Sequence, residues 1–143
     1  MPPPPNDDDA GAAPRHQQRE RALTLLYEAE LKGEDPVVVG DALAVPPDPY
    51  VRTLLAHVSA TKEEAERRIA AVSVGWPLDR MAVIDRLVLR LAVAELLDPD
   101  GPPPAVIIDE AVELAKTYST DDSGRFVNGI LAALAPDLRP TAS

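Results

Sequence analysis

The chain contains no cysteine, which excludes disulfides, thiolate nucleophiles and cysteine-ligated zinc. Aromatic residues make up only 3% of it, so a core has to be assembled mainly from Leu, Val, Ile and Ala. No apolar run approaches the roughly 20 residues of a membrane-spanning helix. The opening residues, MPPPPNDDDAGAAP, lack the basic and apolar regions of a secretory signal, and the expectation is a soluble cytoplasmic protein without membrane association. The only histidines are His16 and His57. His57 falls inside a helix with no serine nucleophile motif nearby, and reads as a helix-edge residue rather than a catalytic base. Glu110 and Glu113 share a helical face, yet with no histidine at suitable spacing they read as a solvated acidic surface rather than a metal site. No Gly-rich phosphate loop follows a strand. The sequence therefore predicts no enzyme, no catalytic residue, no metal and no cofactor.

What is present is enough for one domain. A chain of 143 residues, 45% of them hydrophobic, buries roughly 68–70% of its unfolded surface. The formal net charge of −10 argues against nucleic acid as a partner and suits a basic protein. The distribution qualifies the sum. Acid is concentrated at Asp7 to Asp9, between Glu34 and Asp48, and from Asp98 to Glu113, whereas Arg15, Arg19 and Arg21 cluster near the start of the first helix.

Residues 1–13 are Pro-rich, acidic and without apolar period, and are expected to be a disordered tail. Pro14 is placed to open a helix that stops at Gly33, with Ala22, Leu23, Leu26 and Tyr27 on its apolar face. Asp35-Pro36 and Asp48-Pro49 each resemble a helix start. From Tyr50 to Val72 the apolar positions stay in one helical phase. Thr61 with Glu64 offers a capping box that would start a new helix, but the unbroken phase favours one long helix. Leu78 to Leu97 is helical with a short break near Met81 to Val83. Pro99 and Pro102 to Pro104 precede a closing helix pair. The fold class predicted is all-α, about seven helices in two small packed groups.

The closing pair carries unusual choices. Ile107, Ala111, Leu114 and Tyr118 recur at helical spacing, and Phe126, Val127, Ile130, Leu131 and Leu134 resume it. Thr120 to Ser123 supply N-cap oxygens between them. Gly129, which costs about 1 kcal/mol relative to Ala inside a helix, is expected to permit close helix packing. At the other end of the chain, Arg15 and Arg19 stand one turn apart where positive charge opposes the helix dipole. They read either as ordinary surface arginines paired with solvent or neighbouring side chains, or as an arginine face held out for phosphates; on the second reading, replacing both with alanine is expected to leave thermal stability unchanged or slightly raised.

Several blocks together resemble the bacterial transcription antitermination factor NusB family. Arg15-His16-Gln17-Gln18-Arg19-Glu20-Arg21-Ala22-Leu23 with Leu26-Tyr27 is similar to its N-terminal helix. Leu78-Asp79-Arg80-Met81, Val83-Ile84-Asp85-Arg86 and Leu89-Arg90-Leu91-Ala92 are similar to its central helix. The strongest match runs from Ile108-Asp109-Glu110-Ala111-Val112-Glu113-Leu114-Ala115-Lys116 to Phe126-Val127-Asn128-Gly129-Ile130-Leu131. The resemblance covers residues 14–138 and leaves 139–143 as a flexible C-terminal tail. It implies an all-helical fold of two subdomains and a factor that binds boxA RNA together with the ribosomal protein NusE. That assembly joins RNA polymerase and other Nus factors to sustain transcription of ribosomal RNA operons. It implies RNA contacts at Arg15, Arg19, Tyr27, Tyr118, Asp122, Arg125 and Phe126, and NusE contacts at Asp79, Asp85 and Arg86. His16, Gln17 and Gln18 interrupt a segment that is richer in Arg and Lys in the family, which predicts weaker RNA binding by the isolated protein. An interaction module or homodimer with weak RNA affinity is the alternative. NusB-like domains also precede ribosomal RNA cytosine methyltransferases, but this sequence carries neither a cofactor-binding domain nor a cysteine.

Overall fold

The computed structural model describes residues 14–140. The predicted N-terminal tail, residues 1–13, lies outside the described residues, as do residues 141–143. Among the described residues the chain forms seven α-helices and no strand: α1 (Arg15–Lys32), α2 (Pro36–Asp41), α3 (Pro49–Ala60), α4 (Lys62–Val72), α5 (Val83–Leu97), α6 (Pro104–Tyr118) and α7 (Ser123–Leu138), with a 3-10 turn at Leu78–Arg80 before α5.

The helix ends follow from local chemistry. α1 stops where Gly33 enters the left-handed region at φ 64, which only glycine reaches without cost. Glu34 N–H then donates to Ala29 O at 3.0 Å, satisfying a carbonyl left open by the last turn. Asp35 caps α2 by accepting from Val37 N–H at 2.8 Å, ahead of Pro36 in the first turn.

The predicted long helix from Tyr50 to Val72 is in fact two. Thr61 leaves helical geometry at φ −102, ψ 9, and its hydroxyl donates back to His57 O at 2.6 Å. That bond withdraws the hydroxyl from any capping box. The apolar phase persists across the bend because only one residue departs, so periodicity could not reveal it.

α1, α2 and α3 pack on one another as a first group, and α4, α6 and α7 gather with α5 as a second. α5 touches both groups, and one continuous apolar cluster runs through them. Every residue of α5 from Leu87 to Leu96 is buried, as expected of a helix that is apolar nearly all round. Arg139, assigned from sequence to a loose C-terminal tail, is instead tied in. Its guanidinium donates to Leu96 O at 3.0 Å, Glu95 O at 3.2 Å and Pro102 O at 3.0 Å. A cation on terminal carbonyls is the favourable arrangement for a helix dipole. Gly101 allows this wrap, since a Cβ there would lie 2.8 Å from Glu95 O and 3.1 Å from Arg139 Nη2.

Two expectations for α7 are overturned. Gly129 does not serve close packing, because it is exposed and a Cβ there would meet nothing within 4 Å. The close approach is at Gly124, where a Cβ would stand 2.9 Å from Lys116 Cγ on α6. No aspartate side chain caps α7 either. Ser123 Oγ, 1% exposed as a residue, accepts from Thr120 N–H at 3.1 Å and donates to Ser119 Oγ at 3.0 Å. It thus closes the α6–α7 turn from inside.

Candidate nucleic-acid interface

The arginine face divides into two different residues. Arg15 is exposed and its guanidinium lies over the Tyr50 ring at 3.9 Å from the centroid, a cation–π geometry; it also donates to Gln18 Oε1 at 2.9 Å. Arg19, one turn on, is only 4% exposed. Its Nε donates to Glu95 Oε1 at 2.9 Å and its Nη2 to Glu95 Oε2 at 3.1 Å, with a further bond from Nη2 to Tyr50 Oη at 3.0 Å. This is a two-pronged fork on a buried carboxylate. Burial works against the Arg19 charge, but the hydrogen bond and charge of Glu95 outweigh it and push its pKa up. Tyr50 responds to the same surroundings. Burial, then the Glu95 charge, push its hydroxyl up to about 12 against the pull of Arg19. The expectation of Arg19 held out for phosphates is therefore corrected: its charge is spent inside the molecule.

The outer side of α1 meets α6. His16 Nδ1 pairs with Glu110 Oε2 at 2.7 Å, and that hydrogen bond chiefly raises the imidazole pKa above 6.5. One turn on, Glu20 accepts the Tyr118 hydroxyl, which raises the Tyr118 pKa. The N-terminal helix and the α6–α7 turn, 98 residues apart in sequence at this contact, are thus neighbours. Tyr27 was placed by periodicity on the apolar face of α1, but it is 39% exposed, close to the 45% of Tyr118. It stands seven residues beyond Glu20, about two turns along the same side of the helix. Two accessible phenol rings therefore flank this seam.

Beyond the turn, Phe126, Asp122, Ser123, Asp85, Arg80 and Trp76 help to line a surface cavity of about 650 Å³. Phe126 is half-buried against the core, Asp122 and Arg125 are exposed, and Trp76 is 54% exposed. Asp85 is 7% exposed, and its Oδ1 has no hydrogen-bond partner among the described residues. The resemblance implies a protein-binding role for Asp85 and an RNA-binding one for Asp122 and Phe126; the fold gathers all three around one cavity. Asp79 is exposed in the 3-10 turn. Arg86 is half-buried and donates to Glu30 Oε1 at 2.6 Å, so it too is partly committed to α1.

Sequence reasoning missed Tyr50, Glu95, Glu20, Glu110 and Trp76. Tyr50 alone had a usable signal, as one of three tyrosines in an aromatic-poor chain directly behind a helix-starting Asp-Pro. Glu95 and Glu110 offered none, because their partners lie 76 and 94 residues away.

Comparison with known proteins places this geometry. The NusB family model matches residues 16–136. The chain belongs to the NusB family. Among its curated relatives, a transcription antitermination protein NusB of Saccharopolyspora erythraea is 47% identical over 127 residues, 85% of this chain and 86% of the relative. Among solved structures, T. maritima NusB superposes with a TM-score of 0.80 at 33% identity, covering 90% of this chain and 94% of that one. A structure of the antitermination factors NusB and NusE in complex with double-stranded RNA matches with a TM-score of 0.72 at 28% identity, over 86% of this chain and 96% of that one. The all-α fold expected from the residue pattern, and the NusB fold that the resemblance implied, are the ones observed. No helix among the described residues is long and apolar enough to cross a membrane.

Proposed function

We propose that this chain is a non-enzymatic transcription antitermination factor that binds boxA-containing RNA together with NusE and promotes processive transcription of ribosomal RNA operons. It would act within the RNA polymerase assembly that contains other Nus factors. The observation that carries this reading is the Tyr118–Glu20 contact, which unites the two segments assigned to RNA by resemblance. Antitermination by relatives that match along most of the chain supports it. Arg15 and Arg125 are the phosphate contacts, and Tyr27, Tyr118 and Phe126 offer ring faces for unstacked bases. Asp122, which caps nothing, accepts a hydrogen bond from a base amino group. Arg19 is a positioning residue that holds Tyr50, and through it Arg15. Asp79, Asp85 and Arg86 are assigned to NusE.

The seam is acidic. Glu20 and Glu110 stand on it, and with Arg19 withdrawn α1 has one phosphate contact fewer to offer. Each contact withheld makes the salt dependence of single-strand binding shallower by about 0.7 in log–log slope. A basic protein partner compensates for this, which is the reason for making RNA binding joint. The same withdrawal favours a second reading, an interaction module or homodimer with weak RNA affinity. Fluorescence anisotropy of a labelled boxA RNA separates the two. Under the first reading NusE tightens binding and Arg15→Ala or Tyr118→Ala weakens it; titrations that NusE leaves unchanged overturn it.

A further inference from the structure

On the side of α5 facing the α1–α2 corner, the fold encloses a cavity of about 370 Å³ whose lining includes Arg90, Lys62, Glu30, Glu34, Asp35 and Ser59. Arg90 is 4% exposed, whereas Lys62 is exposed, so the arginine belongs to the buried part of the lining and the lysine to the part open to solvent. The Arg90 Nε–H is buried and has no acceptor among the described residues. Arginine cannot escape burial by giving up its proton, and a charge removed from water without a partner is costly. Burial accordingly pushes its pKa below the ordinary arginine range; Glu66 and Glu30 counter this only in part, and Arg86 adds to it.

Two of the nearby acids are already taken. Glu30 accepts from Arg86 at 2.6 Å. Asp35 accepts from Ser59 Oγ at 2.6 Å on one oxygen and from Val37 N–H at 2.8 Å on the other, which holds its carboxyl below the usual range. The cavity therefore combines a buried arginine whose Nε–H has no acceptor among the described residues with a second, exposed cation, inside a wall where Glu30 and Asp35 are hydrogen-bonded elsewhere.

We propose that this cavity binds a carboxylate, seated on the planar fork of Arg90 with Lys62 closing over it. The acidic wall decides between oxyanions. A carboxylate brings one negative charge and two coplanar acceptors that match the guanidinium. A phosphate would bring up to two charges against Glu30, Glu34 and Asp35, with the like-charge cost that implies. The carboxylate comes either from a small free acid or from an acidic side chain of a partner protein. The site is separate from the proposed RNA surface and stands or falls independently of it.

The test is a two-dimensional NMR titration of the full chain, following the Arg90 Nε–H signal, with acetate, N-acetylglutamate amide and inorganic phosphate at constant ionic strength against a chloride control. Both carboxylates should shift that signal saturably and slow its exchange with water. A half-saturating concentration at least tenfold lower for the glutamate mimic assigns the site to a protein side chain, and similar values assign it to a free acid. In parallel, carboxylate should raise the melting temperature of the wild type and not of Arg90→Met, a variant that keeps the stem and removes the buried charge. Lys62→Ala should keep the response and weaken it several-fold. Phosphate binding more tightly than either carboxylate overturns the assignment, as does an Arg90 signal that responds to none of the three; the second result would mean that the guanidinium is satisfied by water alone.

Discussion

Replacing Arg19 with alanine tests the correction that matters most to the site. The Arg19 and Glu95 side chains are 5% and 4% exposed and joined at 2.9 Å. Deleting the arginine leaves a carboxylate in the core without its fork and Tyr50 without its donor, and stranding one member of a buried pair costs about 3–5 kcal/mol. For a chain of this size each kcal/mol moves the midpoint by roughly 3 °C, so Arg19→Ala should melt about 10–15 °C lower, read by circular dichroism. The pair itself is not the source of that figure. Arg19→Met with Glu95→Leu, which removes both charges and refills the space, should recover most of the loss. Below its melting range, Arg19→Ala should bind boxA RNA less well through a displaced Arg15, whereas Arg15→Ala should weaken RNA binding with little change in midpoint. A variant Arg19→Ala that melts within about 2 °C of wild type yet loses RNA binding would refute the reasoning and restore Arg19 as a phosphate ligand.

Gly129→Ala should stabilise by about 1 kcal/mol, since the position is helical and open, whereas Gly124→Ala should fall below it because its Cβ meets Lys116 Cγ at 2.9 Å; chemical denaturation that ranks them the other way contradicts the packing described. His16 has a folded pKa above 6.5, so its contribution is fully present below that value and is lost as pH rises through the folded pKa. Melts from about pH 6 to 8.5 should show the wild type losing stability relative to His16→Gln, and parallel curves would speak against the Glu110 pairing. Arg139→Ala frees three carbonyl contacts and should cost about 2 kcal/mol, with amide exchange rising first near the end of α5; uniform exchange along the helix would show that the clamp is not local.

Helix order and most ends were legible because they rest on local chemistry: Gly33, Asp35-Pro36, Asp48-Pro49 and the proline loop before α6 act within a few residues. The Thr61 bend was not, since it leaves the apolar phase intact. The burial of Arg19 was not legible either. An arginine at the start of a helix looks the same whether it faces water or a carboxylate 76 residues away. The same limit explains the glycines. Gly129 broke a helix rule conspicuously and packs against nothing, while Gly124, in an unremarkable position beside the turn, carries the close contact. Tyr27 erred in the opposite sense, since its spacing suited a core that the helix turns away from. Residue type and period together indicate which segments matter; long-range partners determine which side chains remain available.

α5 raises a different question, that of its rotation about its own axis. A helix wrapped in aliphatic side chains has almost no amphipathic preference to set that rotation, and sliding it by a turn would bury nearly as much apolar area. Three of its four charged residues, the buried Asp85, Arg90 and Glu95, are spaced by five, so each points about 140° away from the last. Their destinations differ: the cavity beside α7, the cavity beside α1 and α2, and the fork of Arg19. Three keys cut at three angles admit one setting. A helix carrying Leu or Met at all three should be more stable and less unique, and it should announce this as doubled or broadened core methyl signals rather than as a lower melting point.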